Sequence, residues 1–123
     1  MKVVVTAQQP HLDSPVDARF GRAVCFIVVD PDTMDHRVVV NNPDAAGGAG
    51  IGAGKTVIDT GAKVLLTGNC GPNAFRTLRA GGVEIYTGLT GTVRQAVEQY
   101  KAGRLTPAAD ASVQTHAGTG PQS

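Results

Sequence analysis

Runs of apolar residues bounded by turn-forming residues predict five β-strands in this chain. The first run, VVVTA, is continuous and rich in β-branched residues, which indicates burial on both faces of a sheet. The stretch PDTMD joins the second and third runs with turn-forming residues, so these two strands are predicted to form an antiparallel hairpin. The predicted strands span Lys2–Ala7, Ala23–Asp30, His36–Asn41, Lys63–Thr67 and Val83–Thr87.

Three further segments predict helices, at about Ile51–Thr60, at Pro72–Ala80 and from Val93 to just before Gly103. In the last segment apolar residues recur at i, i+3, i+4 and i+7, which is helical spacing, and Thr92 with Gln95 makes a T-x-x-Q capping box at its start. The order β-β-β-α-β-α-β-α predicts an α/β fold with a mixed five-stranded sheet. Its later strands are expected to be parallel and joined by right-handed crossovers.

Length and composition predict one domain, because 123 residues suit a single core. We expect residues 1–105 to form that domain and residues 106–123 to be a flexible C-terminal tail, since the stretch after Leu105 lacks periodicity. Eleven basic and ten acidic residues give a net charge of +1, which does not favour nucleic-acid or membrane binding. The apolar start of the chain is too short for a signal sequence, so we expect a cytoplasmic protein.

Two connections of the predicted sheet are alike and are candidates for an anion site. Thr67-Gly68 and Thr87-Gly88 each follow a strand and precede a helix. If both strands are parallel, the two loops lie at one carboxyl edge, where open α/β sheets bind ligands. Each loop would also present the N–H groups of a helix N-terminus. The alternative is that the Thr-Gly pairs only make tight turns.

The stretch GGAGIGAGKT satisfies a loose Walker A pattern that ends at Lys55 and Thr56. A phosphate-binding loop follows a strand directly, whereas here NPDAAG separates the preceding strand from the glycines. No later strand ends in the Asp that a Walker B motif supplies. We therefore favour a glycine-rich loop that leads into a helix, with Lys55 in solvent.

Other reactive residues give weaker signals. Cys70 precedes a helix start, which would favour its thiolate, although packing in a turn is the preferred interpretation. Asp13, Asp17 and Asp30 have no spacing that forces them together, so solvated carboxylates are favoured over a two-metal site. The cysteines form no C-x-x-C pair and the histidines are scattered, so a metal site built from protein ligands is not expected. The three histidines are His11, His36 and His116.

Four motifs resemble the dinitrogenase iron–molybdenum cofactor biosynthesis family. They are LDSPVDARFGRA (12–23), NNPDAAGGAGI (41–51), TGNCGPNAF (67–75) and TGLTGTVRQAVEQYKAGRL (87–105), and the resemblance covers about residues 2–105. It implies a ribonuclease-H-like fold and binding of an anionic metal–sulfur cluster without catalysis. Within the family the chain is most similar to small carriers of a molybdenum–copper sulfide cluster, a linear anion held without bonds from protein to metal.

The resemblance and the basic residues near the predicted helix starts together suggest a cofactor-binding site. Arg19 and Arg22 would supply charge, and the two Thr-Gly loops would supply hydrogen-bond donors. Many family members have a His in a G-H-G-A-G-I pattern, where this chain has Gly47. The residues assigned to the site are Arg19, Phe20, Gly21, Arg22, Asn69, Cys70, Gly71, Asn73, Leu89, Thr90, Gly91 and Thr92.

The leading hypothesis is therefore a monomeric, non-enzymatic carrier or assembly scaffold for a molybdenum–copper sulfide cluster. A second hypothesis is a cofactor-free interaction module that partners a P-loop ATPase, since such ATPases accompany some relatives. The third is a nucleotide-hydrolysing enzyme that uses Lys55 and Thr56.

Overall fold

A computed structural model describes residues 2–42 and 48–111 of the chain. It contains the predicted sheet of five strands, β1 to β5 in chain order, and three helices, α1 to α3. The strands are β1 Val3–Ala7, β2 Cys25–Val29, β3 His36–Val40, β4 Val64–Leu66 and β5 Glu84–Tyr86. The helices are α1 Ala49–Asp59, α2 Pro72–Ala80 and α3 Val93–Lys101.

The strand order is β3-β2-β1-β4-β5. Strand β2 is antiparallel to both β1 and β3, whereas β1, β4 and β5 are parallel to one another. This confirms the mixed ribonuclease-H-like sheet and the predicted hairpin. It also means that β1, β3, β4 and β5 all end at one edge of the sheet, which we call the carboxyl edge.

Two hydrophobic clusters cover the two faces of the sheet. Side chains of β1 alternate between them: Val3 and Val5 belong to the cluster beneath α3, and Val4 belongs to the cluster beneath α1 and α2. All five residues of β1 are buried, as the continuous run of β-branched residues predicts. The central strand is therefore fixed from both sides, and its end at the carboxyl edge is a rigid point of the fold.

The helix boundaries follow local sequence signals. The capping box of Thr92 and Gln95 is present at the start of α3. Gly61 and Gly82 follow the ends of α1 and α2 with φ values of 83° and 80°, which suits glycine after a helix C-terminus. The prediction placed the start of α1 two residues late, because α1 begins at Ala49, inside the glycine-rich stretch.

Residues 106–111 were assigned to the tail, and two of them contact the domain. The amide of Ala108 donates a hydrogen bond of 2.7 Å to the carbonyl of Ile85 in β5. Ala108 and Ala111 also pack against the cluster beneath α1 and α2. Residues 112–123, also assigned to a flexible tail, lie outside the described residues, and that assignment stays a prediction. The domain boundary at residue 105 stays a prediction as well.

Candidate functional site

The two Thr-Gly loops touch each other at the carboxyl edge. The amide of Gly88 donates a hydrogen bond of 2.8 Å to the carbonyl of Gly68, and the amide of Leu89 donates one of 3.1 Å to the carbonyl of Thr67. The prediction that both loops lie side by side is confirmed. They form one surface rather than two separate turns.

The segment of residues 8–24, between β1 and β2, crosses this edge and bonds to both loops. The amide of Asn69 donates to the carbonyl of Ala18 at 2.8 Å, and the amide of Phe20 donates to the carbonyl of Asn69 at 3.2 Å. The amide of Val16 donates to the carbonyl of Gly91 at 2.9 Å. This segment therefore brings the predicted residues around Arg19 to those around Asn69.

The start of α3 does not offer the N–H donors that the sequence suggested. The amides of Val93 and Arg94 donate to the carbonyls of Ser14 and Leu12, each at 2.9 Å. The amide of Gln95 donates to the Thr92 hydroxyl, and the amide of Thr92 donates to the Gln95 side chain. The prediction of free donors is wrong here, because the segment 8–24 covers this helix start.

The start of α1, rather than that of α3, lies beside the start of α2 at this edge. The N-cap residues Gly48 and Gly71 form no side-chain cap, and neither helix has an acidic residue in its first turn. The two helices lie so close that a Cβ at Gly50 would be 3.3 Å from the Cβ of Ala74. The N-termini of α1 and α2, each with a partial positive charge, therefore lie next to each other at the carboxyl edge.

The segment with the predicted arginines contacts this point. A Cβ at Gly21 would lie 3.1 Å from the amide nitrogen of Gly50, so the backbone between Arg19 and Arg22 runs against the first turn of α1. The Asn41 side chain fixes this stretch, because its amide group donates to the carbonyls of Gly21 and Ala23 at 3.0 and 2.9 Å. The F-G-R-A motif is thus held against the start of α1, and the Phe20 amide bonds to Asn69 in the loop that leads into α2.

The two arginines differ in their surroundings. The Arg19 side chain is 63% exposed and its guanidinium contacts the carboxylate of Asp17, with Nε 3.3 Å from Oδ1. Arg22 is also exposed, and no ion pair is found for it among residues 2–42 and 48–111. Within the described ranges Arg22 therefore has no counter-ion, and its neighbour Gly21 lies against the start of α1.

Three other arginines on α2 and α3 have contacts of their own. The Arg94 Nε atom pairs with Asp13 at 3.1 Å, and the Arg79 guanidinium lies 5.5 Å from the Phe75 ring centroid. Arg76 donates to the Asn73 side chain within the first turns of α2. Arg76 adds positive charge to the first half of α2, whereas Arg79 lies in the last turn of that helix.

Two of the predicted site residues lie in opposite halves of the core. Phe20 belongs to the cluster beneath α1 and α2, and its ring is 5.6 Å from that of Phe26. Leu89 belongs to the cluster beneath α3. Both side chains are buried, so they support the loops from below. Asn69, Asn73, Thr90 and Gly91 are exposed, and Gly71 and Thr92 are partly exposed.

Cys70 is a packed core residue at this edge. Its side chain is 1% exposed and belongs to the same cluster as Phe20. Burial raises the pKa of the Cys70 thiol from 9.0 to about 12. The interpretation as an ordinary packed residue fits this environment, and the expectation of a thiolate stabilised by the helix start does not.

From Ala49 onwards, the Walker-like stretch is helical rather than a loop. Gly50, Gly52 and Gly54 lie inside α1, so they form no cradle for a phosphate. The Thr56 hydroxyl donates to the carbonyl of Gly52 one turn earlier, and Lys55 is exposed in the second turn. The glycines have a packing role instead, because a Cβ at Gly54 would be 2.9 Å from the methyl group of Thr77 in α2.

The other candidates are not brought together. Asp13 pairs with Arg94, Asp17 is buried under Arg19, and Asp30 lies beyond the end of β2 at the opposite edge. Within the described ranges, no group of three or more His, Cys, Asp or Glu side chains could hold a metal ion. His116 and Gly47, where the family pattern has a His, lie outside the described residues. No helix in the part of the chain described is long and apolar enough to cross a membrane.

Comparison with known proteins decides the family. The family described as dinitrogenase iron–molybdenum cofactor matches residues 1–103, which is most of the chain. The chain belongs to this family. No curated protein matches it significantly.

Solved structures are similar to this chain over most of its length. The apo form of the orange protein from Desulfovibrio gigas is 44% identical, with a TM-score of 0.85 over 89% of this chain and 94% of that one. A Thermotoga protein of the DUF35 family is 35% identical, with a TM-score of 0.75 over 86% and 91% of the two chains. A Methanocaldococcus jannaschii protein at 16% identity and a TM-score of 0.68, over 89% and 96%, shows the same fold.

Sequence reasoning missed two parts of this edge. It assigned the start of α1 to a loop, so the helix start beside α2 was not recognised. It also favoured a solvated carboxylate at Asp17, which is wrong, because this side chain is 2% exposed and accepts hydrogen bonds from the Arg19 amide and side chain. The F-G-R-A motif was the available signal for the contact with the start of α1. Its glycine, Gly21, permits close contact with another backbone.

Proposed function

We propose that this protein binds and carries an anionic molybdenum–copper sulfide cluster without catalysing a reaction. The cluster would sit at the carboxyl edge, against the starts of α1 and α2. The observation that carries the proposal is the position of the Arg19–Arg22 segment, which contacts the start of α1 at Gly50 and bonds to Asn69 in the loop before α2. Family membership and the similarity to the apo form of the orange protein support it.

The chemistry of the edge suits a soft, polyvalent anion. Helix N-termini and backbone N–H groups attract negative charge, and two arginines add donors and positive charge. The described residues offer no set of ligands to bind the metals directly. An anion whose metals are already saturated by sulfide needs no such ligands.

The predicted residues divide into two groups in this proposal. Arg22 and Arg19 contribute charge, and the backbone of residues 69–73 contributes the floor of the site. Thr90, Gly91 and Thr92 lie at its border, because the helix start behind them is covered by the segment 8–24. The first group should therefore contribute more to affinity than the second.

Titration of the metal-free protein with tetrathiomolybdate and then copper tests this function. Charge-transfer bands should saturate at a fixed metal-to-protein ratio, and the colour should co-elute with the protein in gel filtration. The affinity should fall as the salt concentration rises, since exposed charges are screened. If the colour forms equally without protein or elutes apart from it, the proposal is wrong.

A charge-matched pair of variants locates the site. Arg19→Gln with Arg22→Gln should lower the affinity about tenfold or more, given the strength of charge-assisted hydrogen bonds. Arg37→Gln with Lys101→Gln removes the same net charge from β3 and from the last turn of α3. Equal losses in the two double variants would show that only the net charge matters and would refute the assignment of the site.

A further inference from the structure

Asp17 is a buried carboxylate beneath the arginine segment. It is 2% exposed, whereas the side chain of Arg19 above it is 63% exposed. Burial of a carboxylate is costly unless hydrogen bonds compensate it. In this chain the donors come from the segment 8–24 itself, so the carboxylate and the segment depend on each other.

Two kinds of contact reach this carboxylate. The amide of Arg19 donates to Oδ1 at 3.0 Å, and the amide of Val24 donates to Oδ2 at 3.4 Å. The Arg19 guanidinium also contacts both oxygens, with Nε 3.3 Å from Oδ1 and Nη2 3.4 Å from Oδ2. The backbone contacts close the loop of residues 17–24, and the side-chain contacts hold the guanidinium down.

The side-chain contacts are long for charge-assisted bonds, which measure about 2.7–2.9 Å. The guanidinium is 63% exposed, and a loose fork with one partner in solvent contributes little free energy. A guanidinium has five N–H donors, and Asp17 engages two of its nitrogens. An anion at the carboxyl edge can therefore compete with Asp17 for Arg19.

We propose that Asp17 is a positioning residue that sets the affinity of the site by holding the Arg19 guanidinium until the anion displaces it. This inference rests on the proposed function. Arg22, which has no such counter-ion in the described chain, attracts the anion at all times. Arg19 responds to it, so the carboxylate lowers the affinity and makes release of the cargo easier.

A double-mutant cycle tests this role, with the cluster formed from tetrathiomolybdate and copper as the probe. Asp17→Asn keeps an oxygen for the Arg19 amide but removes the charge that holds the guanidinium. It should raise the affinity about two- to fivefold, the range of a weak ion pair with one partner in solvent. In the Arg19→Gln background the same substitution should change the affinity by less than about 1.5-fold, because the coupling acts through Arg19.

The outcomes separate the two proposals. If wild-type protein binds no cluster, the proposed function fails and the role of Asp17 fails with it. If wild-type protein binds but Asp17→Asn lowers the affinity in both backgrounds, Asp17 only maintains the loop. An equal rise in both backgrounds would show that Asp17 acts through its own charge. Either of these two results overturns the role of Asp17 alone.

A measurement on the wild-type protein covers the case that Asp17→Asn does not fold. Addition of the cluster to isotopically labelled protein should shift the NMR signals of Arg19 Nε and of the Asp17 carboxyl carbon. The pair of Arg94 Nε and Asp13, at 3.1 Å, is the control within the same chain and should not shift. Signals of Arg19 and Asp17 that stay unchanged while the cluster binds would overturn the inference.

Discussion

A Cβ atom at Gly68 would lie 2.7 Å from the Cα atom of Ala18 and 2.9 Å from its carbonyl oxygen. The loop after β4 and the segment 8–24 thus touch through their backbones. Both atoms that a side chain would meet belong to main chain, which cannot rotate away. This contact places the arginines at the carboxyl edge.

Gly68→Ala should therefore destabilise the protein by about 1–3 kcal/mol, the cost of overpacking a close contact. It should also weaken cluster binding, because residues 17–20 must move away from Asn69. Urea unfolding and cluster titration of the same sample measure the two effects.

Gly71→Ala is the matched control for this substitution. Gly71 has a φ of −74° and nothing lies within 4 Å of the position of its Cβ. The free energy of unfolding should change by less than about 1 kcal/mol, because alanine is only a poorer N-cap residue than glycine here. If Gly68→Ala is equally well tolerated, the backbone contact does not constrain the segment.

Thr92→Ala should lower the free energy of unfolding by about 1 kcal/mol, because it removes the N-cap of α3. It should change the cluster affinity less than Arg22→Gln does, since the donors at this helix start are bonded to residues 12–14. Thermal unfolding and cluster titration of both variants provide the comparison. A larger loss of affinity in Thr92→Ala would place the cluster over α3 instead.

Stability should fall as the pH rises from about 9 towards 12, and Cys70 should contribute to the fall. Its pKa is 9.0 in an unfolded chain and about 12 in the folded protein, so the unfolded state loses this proton first. The stabilisation is complete below pH 9 and is lost as the pH approaches 12. Tyr86, whose pKa burial raises from 10.0 to about 12, adds to the loss in the same direction.

Cys70→Ala should flatten this pH dependence between 9 and 12, as measured by urea unfolding at several pH values. Below pH 9 the variant should have a lower free energy of unfolding than wild type, because the packed sulfur is lost. An unchanged slope would contradict the raised pKa. Neither thiol of the folded protein should react readily with a disulfide reagent at pH 8, since Cys25 is buried and its pKa is raised as well.

Lys55→Ala should leave the free energy of unfolding within about 0.5 kcal/mol of wild type, since the side chain is exposed on α1. Magnesium and ATP should not raise the melting temperature of either protein, because the glycines before Lys55 are helical. A nucleotide-dependent stabilisation that Lys55→Ala abolishes would restore the nucleotide-binding hypothesis.

The strands, the helices and the meeting of the two Thr-Gly loops could be predicted from local sequence. Apolar runs, glycine stops and the capping box act within a few residues, and parallel strands bring their ends to one edge. The covering of α3 could not be predicted in this way. The bonds from Val93 and Arg94 to Ser14 and Leu12 join segments about 80 residues apart, and no local pattern encodes such a pairing.

The start of α1 was misjudged for a related reason. A run of glycines predicts a loop, because glycine is a poor helix former. In this chain Gly50 and Gly54 lie against Ala74 and Thr77, so close packing of α1 on α2 outweighs the poor helix propensity. The glycines of α1 thus allow α1 and α2 to pack closely against each other.

The path of the segment 8–24 also determines how late in synthesis of the chain the carboxyl edge can form. Residues 16–20 leave the ribosome early, but their hydrogen-bond partners at Asn69 and Gly91 are made only after most of the sheet. Contacts between such distant parts of a sequence form late and slow the folding of a domain. A nascent chain that ends before Asn69 lacks the start of α2, and it has no complete edge to offer a cargo. If the proposed cargo binds at this edge, only finished molecules can be loaded.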